Sequence, residues 1–183
     1  MPCYSLTAEL LDMAIENALT YRNQVDELII CEDGGRISGN LANMSNIYAY
    51  FNENKGFTAN VNRGLKLATG DFVIVASSDT QLAAGNIRDL CVDGKITSPK
   101  NEQTDELWGA CFCVPKEILE SRGLLNETMK TYYSDEEYKE RTKDIFQTVD
   151  SVKVLHEQQQ TVKVAGVEGK MDDDKKAYEN LVK

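Results

Sequence analysis

Two acidic turns are the first places in this chain where side chains could do chemistry. The turn Glu32-Asp33-Gly34-Gly35 follows the apolar residues 28–31, and Ser77-Ser78-Asp79-Thr80 follows the apolar residues 72–76. Ligands of open α/β sheets bind beyond the carboxyl ends of the strands, where such carboxylates can hold a cation or accept hydrogen bonds. We therefore expect Asp33 and Asp79 to face one crevice.

The charge of the chain limits what could enter that crevice. The 183 residues include 20 Lys plus Arg against 30 Asp plus Glu, which gives a formal net charge of -10. Such a charge repels nucleic acids and anionic membranes, so we expect no nucleic-acid partner. An anionic small ligand would need a cation, a helix N-terminus or a run of backbone N–H groups.

The elements that must position these turns follow from hydrophobic periodicity. Apolar residues make up 42% of the chain and charged residues 27%, which is typical of one globular domain, here residues 1–183. The spacing of apolar residues predicts a helix from Leu6 to Leu19, capped by Ser5 or Thr7, and a second helix at 57–68. These helices alternate with predicted strands at 28–31, 47–51 and 72–76. This alternation predicts an α/β fold with a mostly parallel sheet and flanking helices.

The second half of the chain is less regular. We expect strands near Ile96, at 108–114 and at 149–155, helices at 116–121 and 136–143, and a last helix begun by Asp172, Asp173 and Asp174. The five cysteines form no CxxC pair, which favours reduced thiols, with Cys111 and Cys113 packed in the core. No apolar run approaches a membrane span and no signal peptide is recognisable, so we expect a cytoplasmic protein.

Seven strings, taken in order and at their spacing, resemble the inverting family 2 glycosyltransferases, which have the Rossmann-like GT-A fold. They cover nearly the whole chain. They are Pro2-Cys3-Tyr4-Ser5; Ile29-Ile30-Cys31-Glu32-Asp33-Gly34-Gly35; Asn54-Lys55-Gly56-Phe57-Thr58-Ala59-Asn60-Val61-Asn62-Arg63-Gly64; residues 70–80 with Ser77-Ser78-Asp79; Trp108-Gly109-Ala110-Cys111-Phe112; Gly123 to Glu127 with Asp135 to Arg141; and His156 followed by Thr161.

The resemblance implies a metal-dependent inverting glycosyltransferase that moves a sugar from a nucleoside diphosphate sugar to a saccharide or other hydroxyl acceptor. Residues 1–90 would bind the nucleotide sugar, and residues 91–183 would carry the acceptor side and the catalytic base. A divalent metal, Mn²⁺ or Mg²⁺, would neutralise the pyrophosphate. Asp79 and His156 would bind that metal. The family has two acidic residues around one spacer at this place, whereas Ser77-Ser78-Asp79 offers a single carboxylate.

The donor-binding residues are implied in the same way. Asp33 would accept a hydrogen bond from the donor base, and the loop and helix from Asn54 to Gly64 would pass beneath the donor. A plain turn aspartate and a capped core helix are the structural alternatives. The full donor set is Pro2, Tyr4, Asp33, Gly56, Asn62, Arg63, Ser78 and Asp79.

The acceptor side is implied to hold the general base. Asp135 occupies the family's position for the carboxylate that removes the acceptor proton, while Trp108 and Gly109 form the acceptor wall. Ser134-x-x-Glu137 is also a capping box, so the same acidic residues could serve only to start a helix. Glu137 is accordingly assigned to acceptor binding or to helix capping.

The first strand is the main departure from the family. Relatives begin with an apolar strand that runs into the Pro-x-Tyr motif, whereas Met1 stands almost on that motif here. We expect either a gap beside the 28–31 strand or a partner edge recruited from a second copy, which would make a homo-oligomer. A non-catalytic GT-A-like domain that binds a nucleotide sugar or glycan is the alternative function. A nucleotidyltransferase would need a Gly-rich basic loop near the N-terminus, and none is there.

Overall fold

The amino-terminal part of the chain forms a parallel sheet. The structure, a computed structural model, describes residues 1–34, 43, 46–51, 53–100, 107–157 and 170–181, so Gly35 and Thr161 of the quoted motifs lie outside the described residues. Strand β1 (Pro2–Cys3) pairs with β2 (Ile29–Asp33), and β2 pairs with β3 (Ile47–Phe51), both in parallel.

Helix α1 (Ala8–Arg22) connects β1 to β2. Its cap is Thr7, whose Oγ1 accepts a hydrogen bond from the Leu10 N–H at 3.3 Å. The predicted helix is confirmed, but Leu19 is 55% exposed because the buried side chains follow a different stripe. That stripe consists of Leu10, Ala14, Asn17, Ala18 and Tyr21.

Helix α2 (Phe57–Leu67) packs against β1 and β2 and buries most of its polar side chains with its apolar ones. It begins after Gly56, whose φ of 97° lies in the region that favours glycine. A Cβ at this glycine would lie 2.6 Å from the carbonyl oxygen of Lys130. The close approach that Gly56 permits is therefore an approach to the protein's own backbone.

The second sheet is mixed. Its strands β4 (Phe72–Ala76), β6 (Ile96–Pro99), β7 (Cys111–Pro115) and β8 (Phe146–Val149) lie in the order β4-β7-β6-β8. β7 is antiparallel to both β4 and β6, and only β6 and β8 are parallel. The predicted α/β fold is confirmed, but among the described strands after β3 only the β6–β8 pair is parallel. Periodicity identifies a strand without giving the direction of its neighbour.

The core of this half lies on both faces of β7. Phe112 packs with Ile96 and Tyr138 on one face, while Cys111 and Cys113 pack with Ile87 and others on the opposite face. All five thiols are free. The flanking helices are α3 (Lys116–Arg122), α4 (Ser134–Thr142) and α5 (Lys170–Leu181), and a short 3-10 helix spans Ile87–Leu90.

A two-stranded antiparallel ribbon completes the described elements. It pairs β5 (Thr80–Ala84) with β9 (Lys153–His156). The single strand predicted for 149–155 is wrong, because β8 ends at Val149 and β9 begins at Lys153. The intervening turn packs so closely on Gly85 that a Cβ there would lie 3.0 Å from the carbonyl carbon of Ser151.

The gap expected beside β2 is present. β1 has two residues where β2, β3 and β4 have five each. A cavity of about 400 Å³ lies between Met1, β2 and β4 and is lined by residues of both five-residue strands. Among the described strands β4 pairs only with β7, so its other edge borders this cavity.

No helix in the described part of the chain is both long and apolar enough to cross a membrane.

Candidate active site

Asp79, His156 and Trp108 lie together. The Oδ2 atom of Asp79 lies 3.2 Å from Nε2 of His156, and both side chains are mostly buried. The Trp108 ring meets the His156 ring edge-on, with 5.5 Å between the ring centres and 73° between the planes. The histidine is thus held between a carboxylate and an indole.

The β5–β9 ribbon brings these residues together from distant parts of the chain. Thr80 pairs with His156 across the ribbon, and the Glu157 N–H donates to the Asp79 carbonyl oxygen at 2.9 Å. The turn before β5 is fixed by the Thr80 hydroxyl, which donates to the Ser77 carbonyl oxygen at 2.7 Å. The Tyr21 hydroxyl of α1 donates in turn to Thr80.

The Asp79 and His156 pair fits two neighbouring positions on a divalent ion. Ligands at right angles on an ion with bonds of about 2.1 Å lie roughly 3 Å apart. A carboxylate suits Mg²⁺ and Mn²⁺, and imidazole is an acceptable nitrogen ligand. No group of three or more acidic, histidine or cysteine side chains in the described residues could hold a metal ion. A metal here would therefore need ligands beyond the acidic, histidine and cysteine side chains of the described residues.

Asp135 lies against Gly109, the residue after Trp108. It follows the first residue of α4, and its carboxyl group is packed against Gly109: a Cβ on that glycine would lie 2.8 Å from Cγ of Asp135. Burial raises the pKa of Asp135, and the charge of Glu136 adds to the increase. Backbone N–H groups, including that of Gly109, oppose the increase without cancelling it.

The capping box expected at the start of α4 is wrong. Tyr133, with a φ of 64°, precedes the helix and supplies no side-chain cap. The Ser134 hydroxyl instead accepts a hydrogen bond from the Thr58 hydroxyl of α2 at 2.9 Å. Glu137 binds Arg141 through both carboxylate oxygens, at 2.6 and 2.9 Å, which is the i,i+4 pairing of a helix rather than a reach back to its start.

Asp33 is held by groups from the loop and helix that follow β3. Its Oδ1 accepts a hydrogen bond from Nη1 of Arg63 at 2.7 Å, and its Oδ2 accepts from the Lys55 N–H at 3.1 Å. The Asp33 side chain is 3% exposed and that of Arg63 19%. The structure therefore joins two of the predicted donor residues in one ion pair at the carboxyl end of β2.

A chain of contacts links Asp33 to Asp79. Glu32 pairs with Cys3 across β1 and β2, and the Ser78 side chain lies close enough to the Cys3 thiol to oppose the increase in its pKa that burial causes. The Ser78 carbonyl oxygen also accepts a hydrogen bond from the Asn17 side chain of α1 at 2.9 Å. The ends of β1, β2 and β4 thus converge, with buried Pro2 and half-buried Tyr4 at the same end.

Asn62 has a different task from the one the resemblance implied. Its side chain is buried, with Nδ2 donating to the Leu125 carbonyl oxygen and to Glu127 and Oδ1 accepting from the Leu125 N–H. These bonds tie α2 to the 125–127 loop. We therefore leave Asn62 out of the proposed donor site.

Sequence reasoning missed the part that α5 plays near this site. The carboxylate of Asp174 accepts hydrogen bonds from three consecutive backbone N–H groups, those of Lys130, Thr131 and Tyr132. The acidic run at 172–174 predicts only a favourable helix start. No local pattern could have identified the partners, because they lie 42 to 44 residues away.

Comparison with known proteins supports the fold and the family. Residues 1–91 match the family model described as Glycosyl transferase family 2, and no curated protein sequence matches the chain. One similar solved structure is the mannosyltransferase PcManGT from Pyrobaculum calidifontis in complex with GDP-Man and Mn²⁺, with a TM-score of 0.63 at 15% identity over 81% of this chain and 52% of that one.

Two further solved structures show the same fold. TarS 1-349 of S. aureus gives a TM-score of 0.60 at 12% identity over 81% of this chain and 57% of that one. Glucosyl-3-phosphoglycerate synthase from Mycobacterium tuberculosis, in complex with Mn²⁺, UDP-glucose and phosphoglyceric acid, gives 0.60 at 13% identity over 89% and 72%. The chain thus spans about half the length of the first two. By its match over residues 1–91 and by its fold, this chain is a GT-A-fold relative of glycosyl transferase family 2.

Proposed function

We propose that this chain forms the transferase domain of a metal-dependent inverting glycosyltransferase. It would move a hexose from a nucleoside diphosphate sugar to a hydroxyl group of a saccharide or other acceptor. The observation that carries the proposal is the arrangement around Trp108-Gly109. A carboxylate–imidazole pair lies against Trp108, and a separate carboxylate with a raised pKa lies against Gly109.

The Asp79–His156 pair would hold the divalent ion. A metal bound there supplies positive charge to the pyrophosphate as it leaves, which a chain with a net charge of -10 otherwise lacks. Two of the similar solved structures contain Mn²⁺, one with GDP-Man and one with UDP-glucose, and this supports the choice of metal and donor class. Because this pair is the ligand set that the described residues offer, we expect the pyrophosphate oxygens to complete the coordination.

Arg63 and Asp33 would form the base end of the donor site. Asp33 lies at the carboxyl end of β2, where ligands of α/β folds bind, and its ion pair with Arg63 holds the carboxylate in place. A carboxylate oxygen can accept a hydrogen bond from an N–H of a nucleotide base while the guanidinium keeps its own bond. Ser78, Pro2 and Tyr4 lie at the same end of the sheet and would contact the rest of the donor.

Asp135 would act as the general base. Inversion requires a group that removes the acceptor proton while the hydroxyl attacks from the face opposite the leaving nucleotide. A base is most effective when its pKa lies closer to the working pH than that of an ordinary carboxyl group. Burial against Gly109 raises the pKa of Asp135 in that direction. The absence of a side chain at Gly109 leaves the space in which Asp135 sits.

A non-catalytic domain that binds a nucleotide sugar or glycan is the second candidate. Among the described residues a single carboxylate, that of Asp79, is paired with His156, and this favours the binder because it weakens a feature that turnover would need. Binding and transfer therefore have to be measured separately.

The test uses common nucleotide sugars and their nucleoside diphosphates, each with and without Mn²⁺. Thermal shifts measure binding, since a ligand at 100 times its Kd stabilises the folded state by about 2.7 kcal/mol. Release of nucleoside diphosphate in the presence of simple saccharides measures transfer. We expect a Mn²⁺-dependent shift and release with at least one donor. A shift without release would support the binder, and no shift with any nucleotide would contradict both the transferase and the binding of a nucleotide sugar.

A further inference from the structure

The carboxylate of Asp174 lies in a small concave site made by the backbone of residues 130–132. Oδ1 accepts the Lys130 N–H at 2.8 Å, and Oδ2 accepts the N–H groups of Thr131 and Tyr132 at 2.8 and 2.9 Å. The side chain is 4% exposed. Hydrogen bonds from N–H groups to an ionised carboxylate are about twice as strong as neutral ones. Three of them from consecutive residues fix a stretch of backbone that has no helix or strand pairing of its own.

A second contact from the same face of α5 acts on the same stretch. Tyr178, four residues after Asp174, stacks on Tyr133 with 5.6 Å between ring centres and 23° between planes. Residues four apart lie on one helix face, so the carboxylate and the ring approach the stretch together. Tyr133 is also the residue with a φ of 64°, immediately before the helix that carries Asp135.

Residues 130–132 contact the start of α2 and lead directly into α4, the helix that carries Asp135. The Lys130 carbonyl oxygen accepts the Thr58 N–H of α2 at 3.0 Å, and Gly56 packs against that same carbonyl. Three residues after Tyr132, Asp135 lies against Gly109. A displacement of residues 130–132 would therefore reach the carboxylate of Asp135 through a short and irregular segment.

We propose that Asp174 is a positioning residue for the transfer reaction: it fixes residues 130–134 so that Asp135 stays in its buried place beside Gly109. The inference rests on the proposed function for its link to catalysis. Asp174 itself is turned toward the backbone and would not touch the reacting atoms. Its task requires a carboxylate, because an amide has one acceptor oxygen and presents N–H groups where acceptors are needed.

The experiment compares Asp174→Asn with Asp173→Asn, a matched control, since Asp173 is exposed on the same helix. Both variants are assayed well below their melting temperatures, with the folded fraction checked by circular dichroism. We expect kcat per folded molecule to fall by at least about 10-fold in Asp174→Asn, because misplacing a catalytic group by about 1 Å can cost about 100-fold. The dissociation constant of the donor should change less than about twofold, and the control should change neither. A kcat within about twofold of the unmodified protein would overturn the proposal.

A second measurement decides the inference even if the proposed function fails. The carboxyl group of Asp135 is titrated by NMR in the unmodified protein and in both variants. If Asp174 holds Asp135 in place, Asp174→Asn lets the carboxyl group leave its buried position, and its pKa falls toward the ordinary value. An unchanged titration would show that Asp174 only docks α5. The unmodified protein could show no transfer while the titration of Asp135 still shifts in Asp174→Asn. That result would contradict the proposed transferase function but would support the positioning of Asp135 by Asp174.

Discussion

At the residue scale, the carboxyl group of Asp135 lies in surroundings that disfavour its charge. The carboxyl group is packed against Gly109, and its pKa is raised by desolvation and by the charge of Glu136. A structural cap would gain from being ionised at a helix start, whereas this group is destabilised by ionisation. Strained or desolvated groups of this kind cluster at functional sites.

The first prediction follows from the sign of that shift. The folded state binds the Asp135 proton more tightly than the unfolded state, whose pKa is near 3.8. The stability that this provides is fully present below that value and is lost as the pH rises through the folded-state pKa. Asp135→Asn removes the effect. Urea unfolding from about pH 4 to about pH 7 should show the variant gaining stability relative to the unmodified protein as the pH rises.

Asp93→Asn is the control for that series, since Asp93 is exposed on a turn. A constant difference between Asp135→Asn and the unmodified protein at every pH would contradict the argument from burial.

The second prediction concerns the metal pair. If Asp79 and His156 hold a divalent ion that the pyrophosphate completes, Mn²⁺ and a nucleoside diphosphate bind cooperatively. Asp79→Ala should abolish this coupling, because a single imidazole would remain. Calorimetry of nucleoside diphosphate binding with and without Mn²⁺ measures it, with Asp93→Ala as the control. An unchanged metal dependence in Asp79→Ala would exclude the site.

At the element scale, the structure joins α2 and α4 by a bond that sequence reasoning assigned elsewhere. The hydroxyl groups of Thr58 and Ser134 are both buried and bind each other at 2.9 Å. This contact fixes the start of the helix that carries Asp135 against the helix that carries Arg63.

The third prediction is a double-mutant cycle on this contact. Ser134→Ala leaves the Thr58 hydroxyl without that partner and should cost about 1–3 kcal/mol. Adding Thr58→Val removes the second hydroxyl, so the double variant should lose less than the sum of the two single losses. Denaturant unfolding of the four proteins gives the coupling energy. Additive losses would mean that the bond contributes nothing.

The helices and strands themselves were largely predictable from sequence, but the contacts between them were not. The periodicity that predicts α1, α2 and the strands at 47–51 and 72–76 is local, and those elements are present. The predicted capping box is wrong because the Ser134 hydroxyl binds the hydroxyl of Thr58, which is distant in sequence. The single strand predicted at 149–155 is wrong because the turn at Asp150 and Ser151 does not interrupt the alternation of apolar and polar residues. Asp174 was inaccessible to sequence reasoning because backbone N–H groups have no side-chain signature.

At the scale of the whole molecule, a cavity separates β2 from β4. Met1 already begins a parallel ladder there, since its amino group donates to the Ile29 carbonyl oxygen at 2.7 Å and its carbonyl accepts from Cys31. Burial lowers the pKa of that amino group. A peptide N–H would make the same hydrogen bond without a charge to bury.

The fourth prediction is that an engineered apolar strand of about five residues before Met1 fills this cavity, five being an ordinary strand length. The added strand would extend β1 between β2 and β4, pair with the edge of β4 that borders the cavity, and bury apolar surface. Each kcal/mol gained should raise the melting temperature by about 2–4 °C. A Gly-Ser extension of the same length is the control. Equal melting temperatures for the two extensions would contradict the prediction.

The same extensions test whether the unmodified chain fills the gap with a second copy. If a second copy fills the gap, sedimentation of the unmodified chain shows a dimer. The apolar extension should dissociate this dimer, and the Gly-Ser extension should preserve it. Monomers throughout would mean that the cavity stays open in solution.

The most direct test of the central claim is sugar transfer by Asp135→Asn, measured beside its donor affinity and melting temperature. Asparagine keeps the size of the side chain and removes the proton acceptor. If Asp135 is the base, transfer falls by the roughly 10²–10⁴-fold typical of general-base catalysis, while donor affinity stays the same and stability at neutral pH is equal or higher. Transfer by Asp135→Asn at the rate of the unmodified protein would contradict the account.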